Sequence, residues 1–191
     1  MNRRRVVITG LGCVTALSES VDELFTALCE GKSGVSTIES FDTSQYPVHF
    51  GGEIKHFDVS QYVDKREAKR MDRFTQFAIA GAINAVKDSG LDFAKEDPYR
   101  VGVIVGTGIG GIKEIEEQHV RLIEKGPGKV SPFCVPRLMS NAASGNIAIQ
   151  FGARGPCFAV SSACASGNHT IGEAFCNIAS NRSDVVITGG S

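Results

Sequence analysis

VVITG, residues 6–10, recurs letter for letter as VVITG at residues 185–189. Four of its five positions are apolar or glycine and three are β-branched aliphatics, which suits a strand buried on both faces. Used twice, it predicts two buried parallel strands. The strand-like cores along the chain are Val6–Ile8, Val101–Val105, Phe158–Val160 and Val185–Ile187. Helical patterns separate them, and strand alternating with helix implies an α/β fold with a parallel sheet covered on both faces.

The helices carry their own start and stop signals. SVDELFTALCEG opens with a capping box, Ser20 to Glu23, and stops at Gly31. DRFTQFAIAGAINAVKDSG runs from an Asp72 cap to Gly90, with Phe74, Phe77, Ala78, Gly81 and Ala85 on one face. GGIKEIEEQHVRLIEKG is a more polar helix and SNAASGNIAIQFG a small-residue one. Residues 31–63, broken by Pro47, Gly51 and Gly52, form an excursion outside the sheet. The three prolines of GPGKVSPFCVP, 126–136, predict a second irregular stretch. A buried parallel strand is a poor place for a terminus, so VVITGGS at the end predicts a longer polypeptide.

Composition narrows the classes of function. The 191 residues are 42% hydrophobic and 21% charged with a formal net charge of −1, which gives no global attraction to nucleic acid or membrane. No apolar run approaches the ~18 residues that span a bilayer. The start, MNRRRVVITGLGCV, imitates a short signal peptide. The reuse of its apolar core as a strand at 185–189 argues for a folded role instead. Cys13, Cys29, Cys134, Cys157, Cys164 and Cys176 contain no CxxC pair, so no zinc motif is present. A reducing, cytoplasm-like compartment is the simplest expectation.

Two glycine turns imitate nucleotide sites. VGVIVGTGIGGIKE contains GxGxxG at Gly106, Gly108 and Gly111 between a strand and a helix. The acidic residue that should end a second strand about 20 residues on is missing, because Glu124 lies inside an amphipathic helix. Ile112 stands where a P-loop requires lysine. Glycines for tight turns and close packing are the better reading.

SSACASGNHTIGEAF, 161–175, is different in kind. Ile171, Ala174, Phe175, Ile178 and Ala179 recur at helical spacing and predict a buried helix face. Cys164 then lies at or near the mouth of that helix, where unsatisfied N–H groups favour a thiolate and stabilise an oxyanion. Its small neighbours leave room for an extended substrate, an arrangement that suits a nucleophile taking an acyl group from a thioester. A buried structural cysteine is the competing reading. His169, five residues on, is rotated by about 140° along a continuous helix and does not serve as its base.

Five stretches in order, RRVVITGLGCVT, RMDRFTQFAIAGAINAVKDSGL, VGVIVGTGIGG, SPFCVPRLMSNAASGNIAIQFGARGP and SSACASGNHTIGEAF, closely resemble the first half of β-ketoacyl-[acyl-carrier-protein] synthases of the elongating type II class. The resemblance covers nearly the whole chain and implies that residues 1–191 are the N-terminal half of a thiolase-like fold, a mixed, mostly parallel sheet with helices on both faces. It implies a homodimer needing no cofactor. Acyl carrier protein would deliver a chain to Cys164, and malonyl-carrier protein, decarboxylated, would extend it by two carbons.

By the same resemblance, Ile109, Cys134, Val135 and Ala163 match positions lining an acyl pocket. Lys65, Arg66, Lys69 and Arg70 match a basic patch that receives the acidic carrier protein. The residues of DKREAKRMDR alone read more readily as a solvated helix face, and it is the resemblance that reverses the preference. Two positions depart from the pattern: Ser162 replaces a usual threonine, and Cys134 a usual phenylalanine, a loss of volume that predicts room for longer or bulkier acyl chains. The family's catalytic histidines, active-site lysine and second oxyanion donor are expected beyond Ser191, as is the fifth strand of this half. The 191 residues alone are therefore expected to condense nothing. Non-catalytic partner subunits of condensing complexes lose the nucleophile, which this chain keeps. A polyketide ketosynthase would share the chemistry.

Overall fold

VGVIVG at 101–106 is buried along its whole length. It pairs in parallel with Cys157–Phe158 on one side and Val185–Gly190 on the other. The computed structural model describes residues 4–191. The elements are α1 (Val21–Cys29), β1 (Ser36–Thr37), β2 (Phe50–Gly51), α2 (Lys65–Ala68), α3 (Arg73–Ser89), β3 (Val101–Gly106) and α4 (Ile112–Lys125). There follow α5 (Cys134–Leu138), α6 (Ala142–Phe151), β4 (Cys157–Phe158), α7 (Ser166–Ala179) and β5 (Val185–Gly190).

Side chains alternate across β3, so its two faces need separate covers. Val103 and Val105 join Ile79 of α3 and Ala143 and Ile147 of α6 in the core, with Ile187 of β5 against them. On the opposite face Gly106 lies against α7, where a Cβ would come 2.9 Å from the Ser166 carbonyl oxygen. The expected α/β arrangement, a parallel sheet with helices on both faces, is present. The excursion over residues 31–63 holds β1 and β2, antiparallel and apart from the main sheet.

The first VVITG does not form a strand. Val6–Ile8 pairs with nothing among the described residues, and Val7 and Ile8 are 59% and 77% exposed. The second VVITG forms β5. Identical residues have identical propensity, so the difference lies in the pairing: β5 lies along the edge of β3 opposite β4, whereas residues 6–10 pair with no strand among the described residues. That segment is nevertheless held near both ends. Arg4 reaches Asp184 at 2.6 Å and Asn181 at 2.9 Å, while the Leu11 N–H donates to Asp88 at 2.8 Å. The basic start of the signal-like stretch, residues 1–3, lies outside the described residues.

Helix α3 begins on its Asp72 cap and ends on left-handed Gly90, as its sequence predicts. Its deepest face differs from the expected one. Thr75, Ile79, Ala80 and Ala82 are buried, while Phe74, Phe77, Ala78, Gly81 and Ala85 are half-buried. That second face carries the chain at Gly10 and Gly12, so closely that a Cβ on either would collide with the carbonyls of Ala85 and Gly81. Between residues 10–15 and the end of β5 lies a cavity of about 500 Å³, floored by Phe77, Gly81 and Ala85.

Smaller departures have local causes. At α1 the Ser20 side chain accepts the Glu23 N–H, but the Glu23 carboxylate takes the Ser18 hydroxyl at 2.8 Å, so only half of the capping box forms. Strand β4 begins one residue earlier than expected and is only two residues long. The stretch 126–136 is not wholly irregular. A 3-10 turn spans Pro127–Lys129 and α5 begins at Cys134, with Pro136 in the first turn, where its missing N–H costs nothing.

Candidate active site at the Cys164 turn

The chain leaves β4 and turns through Ser161–Ala165 before entering α7. Ala163 sits at φ 50°, a left-handed conformation that a residue with a Cβ adopts at a cost of about 1 kcal/mol or more. Neighbouring bonds hold it there. The Ser162 N–H donates to Ser166 Oγ at 2.9 Å, and Ser166 Oγ donates to the Ala163 carbonyl at 2.7 Å. Ser161 Oγ donates to the Gly108 carbonyl at 3.0 Å. The turn presents Cys164 exposed, two residues ahead of the helix. No side chain caps α7 at Ala165, so N–H groups of its first turn stay open to an approaching anion.

The glycine-rich turn after β3 is the floor of this site. A Cβ on Gly106 would meet the carbonyls of Val160 and Ser166, and one on Gly108 would lie 3.7 Å from Ala163. Gly110, at φ 81°, and Gly111 pass against the Leu138 and Arg137 carbonyls of the α5 segment. The GxGxxG pattern is thus accounted for by close backbone approach to two neighbouring segments.

These contacts bring the four expected acyl-pocket positions into one neighbourhood. Ala163 lies over Gly108, Ile109 follows in the same turn, and the Gly111 N–H donates to Leu138 at 3.1 Å, fixing the helix that carries Cys134 and Val135. Ile109 and Val135 are solvent-exposed, and Cys134 is half-buried. The 500 Å³ cavity does not include Cys164.

Lys65 and Arg66 lie in α2, Lys69 caps it and Arg70 follows; all four are exposed, and none is in an ion pair among the described residues. The Arg70 guanidinium stands 5.4 Å over the Phe133 ring, so the basic cluster abuts the residue before Cys134.

Two expectations about α7 need correction. Its buried face is Ser166, Thr170, Ala174 and Asn177, whereas Ile171 and Phe175 are each 48% exposed. The sheet-facing side must be small because Gly167 meets Gly190 and the Thr170 hydroxyl donates to the Gly189 carbonyl at 2.7 Å. The larger apolar side is left uncovered. His169 is not turned away from the cysteine turn either: its Nδ1 lies 2.6 Å from Ser162 Oγ. A rotation about a continuous helix axis does not apply, because α7 starts only at Ser166.

Two further clusters escape the sequence. Glu114 of α4 is wholly buried, 2.7 Å from Arg137, and accepts from Gln118 at 2.9 Å; Gln118 in turn accepts the Ser131 N–H at 2.8 Å. Their i, i+4 spacing marks a shared face but not its burial. Arg100 grips Asp184 with two bonds of 2.9 and 3.0 Å. Arg100 first and Arg4 second hold the Asp184 carboxyl well below the usual carboxylate range.

A family model described as beta-ketoacyl synthase, N-terminal domain, matches residues 3–191. Among curated proteins, 3-oxoacyl-[acyl-carrier-protein] synthase 2 of Vibrio cholerae serotype O1 is 46% identical over 191 residues, all of this chain and 46% of that protein. The protein of the same name from Staphylococcus aureus (strain COL) is 44% identical over 188 residues, 98% of this chain and 45% of its own length. Among solved structures, the ishigamide ketosynthase/chain length factor superposes with a TM-score of 0.89 at 28% identity, covering 98% of this chain and 47% of that one. A beta-ketoacyl synthase from Burkholderia phymatum STM815 gives 0.81 at 28% identity, covering 96% and 45%. The chain spans about half the length of the curated relatives it matches.

Proposed function

This chain belongs to the beta-ketoacyl synthase family through its N-terminal domain, and from that membership we propose that it is the first half of an elongating 3-oxoacyl-[acyl-carrier-protein] synthase with Cys164 as acyl acceptor. The observation that carries the reading is the exposed thiol on a left-handed turn, ahead of an uncapped helix and among small residues. In the first stage the Cys164 sulfur attacks the carbonyl carbon of a carrier-borne thioester. The oxyanion that forms draws on the open N–H groups at the start of α7. Its collapse breaks the bond to the carrier thiol, which leaves with the proton. In the second stage malonyl-carrier protein loses CO2, and the electron pair released attacks the acyl carbonyl on Cys164. The new carbon–carbon bond forms as the Cys164 thiolate departs.

The remaining parts are assigned on the same footing. Ile109, Cys134, Val135 and Ala163 contact the acyl chain. Lys65, Arg66, Lys69 and Arg70 receive the acidic carrier protein, beside the Phe133–Cys134 corner. The base that takes the Cys164 proton and the groups that assist decarboxylation are assigned to the half that the relatives carry and this chain does not span, so the 191 residues alone should not turn over. The uncovered apolar sides of α4 (Ile112, Ile115, Ile123) and α7 (Ile171, Phe175) fit covering by that second half and by a second copy in a homodimer. Six free cysteines suit a reducing compartment such as the cytoplasm, and no helix among the described residues is long and apolar enough to cross a membrane.

The identities favour fatty-acid elongation over polyketide synthesis: 46% to the curated synthase against 28% to the ishigamide ketosynthase/chain length factor. The test is incubation of the full-length polypeptide with an acyl-carrier-protein thioester and mapping of the adduct by peptide mass spectrometry. The expected adduct is on Cys164 and is lost in Cys164→Ala. A folded protein with no adduct there overturns the reading, as does turnover by the 191-residue chain alone.

A further inference from the structure

We propose that His169 is a positioning residue for the nucleophile turn, acting through Ser162; the proposal rests on the reading of Cys164 as the acyl acceptor. The turn that aims Cys164 is strained at Ala163 and stays in place only while its surroundings outweigh that strain. Ser166 restrains the main chain from one side, taking the Ser162 N–H and giving its own proton to the Ala163 carbonyl. Ser161 ties the turn to the glycine loop below. The Ser162 side chain has a different restraint, the 2.6 Å contact with His169 Nδ1.

The geometry of that contact is a staple. His169 is the fourth residue of α7, so its ring reaches back across the helix mouth to a residue two places before Cys164. A hydroxyl and an imidazole nitrogen at this distance bond in either tautomer. In one, Ser162 donates to an unprotonated Nδ1; in the other it accepts from Nδ1–H. Either way Nδ1 is committed to Ser162 and is not the acceptor for the Cys164 proton. What the pair supplies is stiffness: the loop cannot swing off the helix mouth without breaking it. Losing it lets Ala163 relax towards an ordinary backbone conformation and carries the sulfur away from the open N–H groups.

The test uses the full-length polypeptide with His169→Ala, Ser162→Ala, the double variant, and the conservative Ser162→Thr and His169→Asn. Two rates are read at Cys164 by peptide mass spectrometry: alkylation by iodoacetamide, and acyl transfer from an acyl-carrier-protein thioester. Each alanine variant is expected to slow acyl transfer roughly tenfold through kcat with KM unchanged, the scale of one hydrogen bond. The double variant should be no slower than either single one, and the threonine and asparagine variants should stay near the parent rate.

An unchanged rate in His169→Ala, or a double variant slowed by the product of the two single effects, overturns the proposal. If the parent protein forms no acyl adduct, the proposed function fails, and alkylation still decides this point: equal alkylation of the parent and of His169→Ala ends it. His169 is exposed, and should His169→Ala fail to fold, the comparison of Ser162→Ala with Ser162→Thr reads the same staple from its other side.

Discussion

Arg137 meets Glu114 at 2.7 Å in a pair whose carboxylate has no exposure and whose guanidinium side chain keeps 26%. The contact lacks hydrogen-bond alignment at Glu114 Oε2, and Arg137 Nε has no partner. It fastens α5, which carries Cys134 and Val135, to the buried side of α4. Removing one charge strands the other. Glu114→Ala is expected to cost about 3–5 kcal/mol, whereas the double replacement Glu114→Leu with Arg137→Met should cost far less. Urea unfolding of the full-length variants measures both, and equal losses would show that volume rather than charge is at stake.

Asp184 makes a pH prediction with a definite sign. Its carboxyl is held low in the folded protein, against roughly 3.9 when unfolded, by Arg100 and then Arg4. The folded state therefore favours the ionised form. The contribution is fully present well above pH 4 and is lost progressively as pH falls below it towards the folded value. Asp184→Asn should lower the melting temperature at neutral pH, and the gap to the parent should narrow steadily as pH drops from about 4 to 2. A gap that is constant with pH would assign the effect to lost packing. The side chain is 40% exposed and open to salt screening, so high salt should also shrink the gap.

Cys134 stands half-buried at the start of α5, where the resemblance leads one to expect phenylalanine. Cys134→Phe restores a ring beside Phe133. On the proposed function it should shorten the longest acyl chain accepted, seen as a fall in kcat/KM of about tenfold or more for long substrates with short ones nearly unchanged. An unaltered chain-length profile would remove Cys134 from the pocket wall.

Lys69 and Arg70 are exposed and free of ion pairs among the described residues, so reversing them disturbs no internal contact except Arg70 over Phe133. Lys69→Glu should raise KM for a carrier-borne substrate about tenfold or more with kcat little changed, and the parent KM should itself rise with salt. The same variant tested on a small acyl thioester without carrier should match the parent. A defect on both substrates would place the lysine elsewhere in the mechanism.

Much of this was legible where signals are local. Asp72 and Gly90 bracket α3 because a carboxylate cap and a left-handed glycine act within one turn. Cys164 could be placed ahead of a helix because the 3.6-residue period resumes just after it. Partners distant in sequence were not legible. Nothing in VVITG says which copy finds an edge of β3, and nothing in GGIKEIEEQ says that Glu114 is the buried acid. The apolar stripe of α7 is visible in the sequence but is not its buried face, because the side facing the sheet is chosen by how closely Gly167 meets Gly190. The Ser162–His169 contact spans the junction of loop and helix, where no periodicity runs.

The two VVITG copies leave this polypeptide with a spare strand and a spare socket. Residues 6–10 are tethered near both ends and unpaired between, while β5 has only β3 as neighbour and a bare second edge among the described residues. Each molecule thus offers its neighbours a β-branched ribbon and an unpaired strand edge. Pairing of this kind joins unlike surfaces and need not close on itself. The 191 residues alone should therefore be prone to edge-to-edge association until another segment covers the second edge of β5.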